Sequence, residues 1–406
     1  MFRLRLKWPV VATLLIPLAN ARAQDSRRSL DLTLGGVGIS IGDSRRARGI
    51  RLNYRDSRLD RVDGVNATIW SPWRDGHGTV NGLSLGIPVT GGRQIQGLQL
   101  GFFGAEVLDD FQGVAINGLG MGAGGDATGI MVSGVGMGVG GDIRGVSVSA
   151  VGGGAGGDLR GIAIGGIGMG AGGRVEGLVI GGVGVGAGGG GRGVLIGGVG
   201  AGIGGDFEGL MFGGVGAGVG GSFKGIAIGG VGAGIGGRFS GIGIAGAGVG
   251  VGGDAGGVLV NGFGSGIGGD ATGIFVNGFG MGAGGTIRYL TVNGFGVGAS
   301  RIEGLAVAGG VIGTPAARGL MVAGAWLRIR RFDHGARVPR FDQVAEARFE
   351  GVGISAFNQV LGHQQGLTIG VVNYARSLSG VQVGVLNIVR DNPPGRRVLP
   401  VLNWGR

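Results

Sequence analysis

GIAIGGVGAGIGGRFS, residues Gly225 to Ser240, is one turn of a pattern that runs through most of the chain. Its leading glycine recurs at Gly113, Gly129, Gly145, Gly161, Gly177, Gly193, Gly209, Gly225, Gly241, Gly257 and Gly273, at a constant spacing of 16 residues. Behind that glycine, Ile226 and Ile228 alternate with small residues. A Gly-Gly step then shifts the phase, and Val231, Ala233 and Ile235 alternate in turn. Alternation with period two is a β-strand signal, because successive strand side chains point to opposite faces. A helix this rich in glycine would lose about 1 kcal/mol per Gly relative to Ala. The unit therefore predicts two short strands joined at a glycine corner, with the aliphatic positions buried and the Gly/Ala positions opposite them. A second Gly-Gly pair leads into a predicted turn at Arg238, Phe239 and Ser240.

Outward from the centre the pattern loosens. Tyr289 takes the place of the leading glycine, and Gly304 and Gly319 follow. Gly351, Gly366 and Gly380 resume the pattern downstream, and Gly97, Gly82, Gly64 and Gly49 extend it upstream. The expected fold is all-β, a repeat β-solenoid with about 16 residues per coil and degenerate units at its ends, as stacked repeats require. The alternative is an outer-membrane antiparallel β-barrel with one strand per unit. Charges confined to the turns and the uncharged span between them favour the barrel. The sameness of every unit favours the solenoid, since barrel strands alternate in direction and would show a doubled period.

The expected organisation is a signal peptide over residues 1–23, degenerate repeats or a cap over 24–112, the regular array over 113–324, an Arg-rich insertion over 325–350, and C-terminal repeats with a tail over 351–406. Arg3, Arg5 and Lys7 precede an apolar run, and Ala21-Arg22-Ala23 offers small residues for cleavage, so an exported mature chain starting at Gln24 is expected. The destination is the periplasm, outer membrane or cell surface. The chain has no cysteine, which excludes disulfides and thiolate metal sites. The net charge of +11 comes almost wholly from arginine; it is compatible with acidic partners such as an envelope component or an acidic surface polymer, and equally with a GC-rich genome that favours Gly, Ala and Arg codons together. No specific nucleic-acid reader is expected.

Catalytic signals are weak. Strings such as Gly232-Ala233-Gly234-Ile235-Gly236-Gly237 match a dinucleotide fingerprint, but no helix pattern follows them. The Gly204-Gly205-Asp206 type of triplet resembles part of a calcium-binding β-roll, yet Arg174 and Arg238 fill the Asp place in sister units, so a turn aspartate is expected. His77, His334 and His363 lie far apart. Glu176 and Glu208 are the acids weighed for a polymer-cleaving enzyme, and neither has an acidic neighbour at matching places. No catalytic residue, metal site or cofactor is expected.

Asn261, Asn277 and Asn293 share one place in consecutive units and predict a stacked amide ladder; Asn117 holds the same place alone. Two regions break the repeat and are the better binding candidates. Arg45 to Arg61 is dense in Arg and Asp. In WLRIRRFDHGARVPR, residues 326–340, Trp326 stands with Arg328, Arg330, Arg331, Arg337 and Arg340 as a candidate surface for phosphate, base or sugar contacts. Because Gly319 and Gly351 are 32 residues apart, this stretch is expected to replace one unit with a loop or hairpin.

The C-terminal units GLTIGVVNYARSLSGVQVGVLNIVRDNPP, Gly366 to Pro394, resemble a bacterial surface-repeat family with units of the form G-[LV]-Q-[IL]-G-L-x-N-x-A. Asn373 and Asn387 match the family asparagine, and Leu399-Pro400-Val401-Leu402-Asn403-Trp404 resembles its tail. Aligned on the leading glycine, Asn373 falls at the place of Gly232. The resemblance covers about the last fifty residues and implies an exported, surface-associated protein of unknown activity.

Overall fold

The computed structural model describes residues 29–73, 77–331 and 347–405. The chain divides into two compact units, Met1–Gly189 and Gly190–Arg406. The predicted signal peptide lies outside the described residues. The fold is a β-solenoid, 74% strand, and the described residues contain no α-helix.

Each regular coil is a long strand and a short strand, for example Phe223–Gly229 and Gly232–Ile235. Long strands pair only with long and short only with short, in parallel and in register: Gly225 lies beside Gly209 and Gly241, and Gly232 beside Gly216 and Gly248. Parallel ladders between consecutive coils are what a solenoid requires, and they overturn the antiparallel barrel.

The leading glycine is demanded by this stacking. At Gly225 φ is 134°, a value L side chains rarely adopt, and a Cβ there would lie 2.0 Å from the carbonyl oxygen of Gly209 in the preceding coil. The same approach repeats at Gly241 and Gly273, both 1.9 Å. Tyr289 fills the place with φ 82°, the one non-glycine in the central column.

The inward face differs from the expectation. Phe223, Ala227, Ala233 and Ile235 point into the coil, whereas Val231 is 55% exposed and Ile226 also faces outward. The reason is width. Near the Gly229 corner the two strands approach so closely that a Cβ on Gly229 would lie 2.0 Å from the oxygen of Gly232. Only small side chains fit there, so the bulky aliphatics are turned out. The wider end holds aromatics, and Phe239, expected in a turn, is instead the buried first residue of a long strand. Phe207, Phe223 and Phe239 stack inside at centroid spacings of 6.0 and 5.9 Å. Volume is balanced within several coils: Phe223 shares its coil with Ala227, Phe239 with Gly243, Ala255 with Leu259, and Ala271 with Phe275. A Cβ on Gly243 would lie 2.5 Å from a Leu259 methyl and 3.2 Å from the Phe239 ring, so the space beside Phe239 is already filled.

The GGD turns are used by the ladder. Asp142 Oδ1 accepts the Asp158 amide at 2.8 Å, Asp158 the Arg174 amide at 2.8 Å, and Asp270 the Thr286 amide at 2.8 Å. Each aspartate thus caps the corner of the next coil, in keeping with a turn role.

Each unit has one antiparallel closing pair. Ser29–Leu34 folds back on Val37–Gly42 through Gly35-Gly36, and Val398–Gly405 folds back on the strand Phe357–Val389. In the first unit the end of the core is plugged by Arg51, wholly buried, which bonds Asp56, Asn66 (2.9 Å) and Asp43 (3.2 Å).

The Arg-rich stretch does not replace a coil. Gly319 pairs directly with Gly351, and Trp326–Ile329 is an ordinary short strand between Val311–Thr314 and Phe357–Val360. The extra residues enter at one corner, after Ile329 and before Arg348, so residues 325–329 and 348–350 belong to the array.

Candidate functional site

With the coil geometry in hand, the candidate residues separate into structural and accessible groups. The asparagines are structural. Asn261 Nδ2 donates to Asn277 Oδ1 at 3.0 Å and Asn277 Nδ2 to Asn293 Oδ1 at 3.0 Å; Asn293 then donates to Thr291 Oγ1 at 2.9 Å. All three are buried in the narrow corner, at the place of Gly229. A second ladder, missed at the sequence level, joins Asn358, Asn373 and Asn387 at 2.7 Å per step. Here the alignment is corrected. Asn358 pairs with Leu327, whose side chain is fully buried, so the asparagine sits in the inner place of Ala233 and not the outer place of Gly232. One residue fewer in the corner between Ile354 and Phe357 shifts the phase.

Of the arginine-rich candidates, Trp326 and Arg328 lie on the outer face of the short-strand sheet. There they succeed Gly296/Gly298 and Val311/Gly313 in neighbouring coils. The Arg328 guanidinium stands 5.0 Å from the Trp326 ring centroid, and Trp326 packs edge-on to Phe357 at 5.2 Å. Arg330 donates its amide to Thr314 at 3.2 Å, and Arg331 is exposed. Arg337 and Arg340 lie outside the described residues, as does His334.

The first unit carries a better-formed site of the same chemistry. The strand Arg46–Arg55 runs ten residues and sets Arg55 beside Trp70 of the next coil. Arg55 Nε donates to the Ser71 carbonyl at 2.7 Å, which aims the guanidinium at the Trp73 ring, 3.6 Å from its centroid. The Trp73 amide is itself fixed by the Asp56 carbonyl at 2.8 Å. Tyr54, Arg55, Ser57, Trp70 and Trp73 line a groove of about 580 Å³, and Tyr54, Trp70 and Trp73 are all exposed. The sequence held a signal for it: two of five tryptophans lie within four residues of each other in a chain only 6% aromatic.

Arg45, Arg46, Arg48 and Arg61 line a separate polar groove with Asp31, Asp60 and Asp63. Arg45 and Arg46 share Asp60 at 3.4 and 3.6 Å. Hydrogen bonds from Asn81 and then Arg61 hold the Asp63 carboxyl below the usual aspartate range.

The two acids weighed for catalysis are each beside a cation. Glu176 is 3.8 Å from Arg160, and Glu208 is 2.9 Å from Lys224, whose hydrogen bond lowers its pKa. Among the described residues no group of His, Asp and Glu is arranged to hold a metal ion.

No family model, curated protein or solved structure matches the chain.

Proposed function

We propose that this chain is an exported, non-enzymatic repeat protein of the bacterial surface with a structural or adhesive role, and that it touches an acidic saccharide polymer of the envelope. The supporting observation is the Tyr54–Arg55–Trp70–Trp73 groove. Indole faces accept the apolar C–H faces of sugar rings, while an arginine already oriented by Ser71 offers its remaining N–H groups to a carboxylate or phosphate on the same polymer. The Trp326–Arg328 pair repeats that chemistry in the second unit. The likeness of residues 366–394 to surface repeats and the basic, apolar start of the chain agree with this reading.

The test is binding of the full chain to alginate, a polyuronate, with neutral dextran as control, followed by tryptophan fluorescence. Alginate binding that falls at least tenfold in Trp73→Ala and in Arg55→Gln is the expected result. Equal binding of dextran, or variants that bind alginate as well as the parent, would overturn the adhesive reading. Release of new reducing ends from alginate would overturn the non-enzymatic one.

A further inference from the structure

The outward face of the long-strand sheet in the Gly190–Arg406 unit is the largest feature left without a role. Two columns of side chains cover it. One runs Val194, Leu210, Ile226, Ile242, Val258, Ile274, Leu290, Leu305, Leu320, Val352; the other runs Ile196, Phe212, Ile228, Ile244, Val260, Val276, Val292, Val307, Val322, Ile354. Neither is interrupted by a polar residue. At the adjoining corner Val199, Val215, Val231, Phe263, Phe279 and Phe295 extend it, with the three phenylalanines stacked at 4.9 and 5.1 Å. Ten coils at ~4.8 Å, each about five residues wide at ~3.3 Å, amount to roughly 800 Å². That exceeds the 300–600 Å² of a typical largest apolar patch and equals one side of a standard protein interface.

We propose that a second copy of this chain covers this face, packed with its coils in reverse order about a twofold axis that runs along the strands between the Gly257 and Gly273 coils. An axis in that direction sets each column against its own counterpart. The column bordering the aliphatic face then decides the register. Coil by coil it reads Arg192, Glu208, Lys224, Ser240, Gly256, Thr272, Arg288, Glu303, Arg318, Glu350. About the proposed axis Arg192 meets Glu350, Glu208 meets Arg318, and Lys224 meets Glu303 of the second copy. Sliding by one coil in one direction opposes Lys224 to Arg288 and Glu208 to Glu303. Sliding in the other opposes Lys224 to Arg318 and Glu208 to Glu350. Both neighbouring registers set like charges together, which is how charge fixes register across an apolar interface.

Shape agrees with charge. Tyr289 is the one large residue in the glycine column and is 68% exposed. About the same axis it faces the Gly241 coil, where the border residue is Ser240 and the column residue has no side chain. The bulkiest projection thus meets the gap made by small residues. A lipid surface explains neither the alternating border nor this fit, and the glutamates of the border oppose anionic headgroups.

The chain has no cysteine, which makes crosslinking decisive. Within one chain residues 224 and 303 are five coils apart, about 24 Å, so they cannot bond to each other. Full-length Lys224→Cys chains mixed with Glu303→Cys chains and treated with bismaleimidoethane, whose reach suits the roughly 10 Å between packed sheets, should give a crosslinked dimer, and either variant alone should give far less. Sedimentation of the parent should report a dimer that Glu303→Lys weakens at least tenfold and that Lys224→Glu in the same chain restores. Ile242→Asp, at an exposed position, should give a folded monomer. A parent that is monomeric at tens of micromolar, crosslinks as strong with one variant alone, or uptake of the parent by phosphatidylcholine vesicles with no dimer would overturn the proposal. Alginate binding at the groove of the first unit is read separately, so neither result decides the other.

Discussion

Gly225 and Gly234, nine residues apart in one coil, should respond oppositely to the same mutation. At Gly225 a methyl group would sit 2.0 Å from the Gly209 oxygen and 2.9 Å from its carbonyl carbon, about 1 Å inside the nearest approach side-chain carbons make. Backbone cannot yield to this without opening the ladder. Gly225→Ala therefore lengthens two or three inter-coil hydrogen bonds, at about 1 kcal/mol each. It also forces alanine to φ 134°, at about 1–3 kcal/mol. The sum is about 3–6 kcal/mol. At Gly234 nothing lies within 4 Å of the added carbon and φ is not in the left-handed range. Gly234→Ala should be neutral, or stabilising by about 0.4–1 kcal/mol through the unfolded chain. Because coils are coupled mainly to their neighbours, local opening is a better readout than a global midpoint. Hydrogen–deuterium exchange of peptides covering residues 207–245 should accelerate more than 100-fold in Gly225→Ala and stay within about threefold of the parent in Gly234→Ala. Equal behaviour of the two variants would refute the assignment of the leading glycine to coil stacking.

Other substitutions probe separate parts of the account. Tyr289→Gly removes the strain of φ 82° and should stabilise the second unit by about 1 kcal/mol, seen as a higher urea midpoint. Asn277→Leu strands the Asn261 amide and the Asn293 oxygen inside the narrow corner, and at about 1–3 kcal/mol per orphaned group it should lower the thermal midpoint clearly. The Asp158 amide, ahead of Arg144 and Arg160, holds the Asp142 carboxyl below its ordinary value. A depressed folded-state pKa stabilises above the unfolded value and loses that contribution as pH falls through the folded value. The first unit should therefore weaken below about pH 4, and Asp142→Asn, which keeps the acceptor oxygen, should lose less stability between pH 6 and pH 3 in urea titrations.

Much of the architecture was legible because stacking writes itself into spacing. The 16-residue return of glycine, the Asn261–Asn277–Asn293 column and the turn aspartates each follow from one coil lying on the last. Which face turns inward was not legible from alternation, since period two is the same for either face. The width of the coil decides it, and that depends on the close approach at Gly229. A subtler trace was present: a large residue at Phe223, Phe239 or Phe275 always meets a small one four places away in its own coil. The true corner of the Arg-rich insertion was hidden because Trp326 and Arg328 occupy places held by glycine elsewhere, which disguises an ordinary short strand. The Tyr54–Trp73 groove needed the register of Arg55 beside Trp70, which strand spacing alone does not reveal.

The most direct test of the solenoid is distance along it. Spin labels paired from Glu208 to Thr272, Glu303 or Glu350 span four, six and eight coils of the second unit. Pulsed electron resonance on labelled chains diluted with unlabelled ones should give separations near 19, 29 and 38 Å, rising linearly at ~4.8 Å per coil. Separations that level off or shorten as the coil number grows, as strands closing into a barrel would give, would contradict the fold and every inference drawn from it.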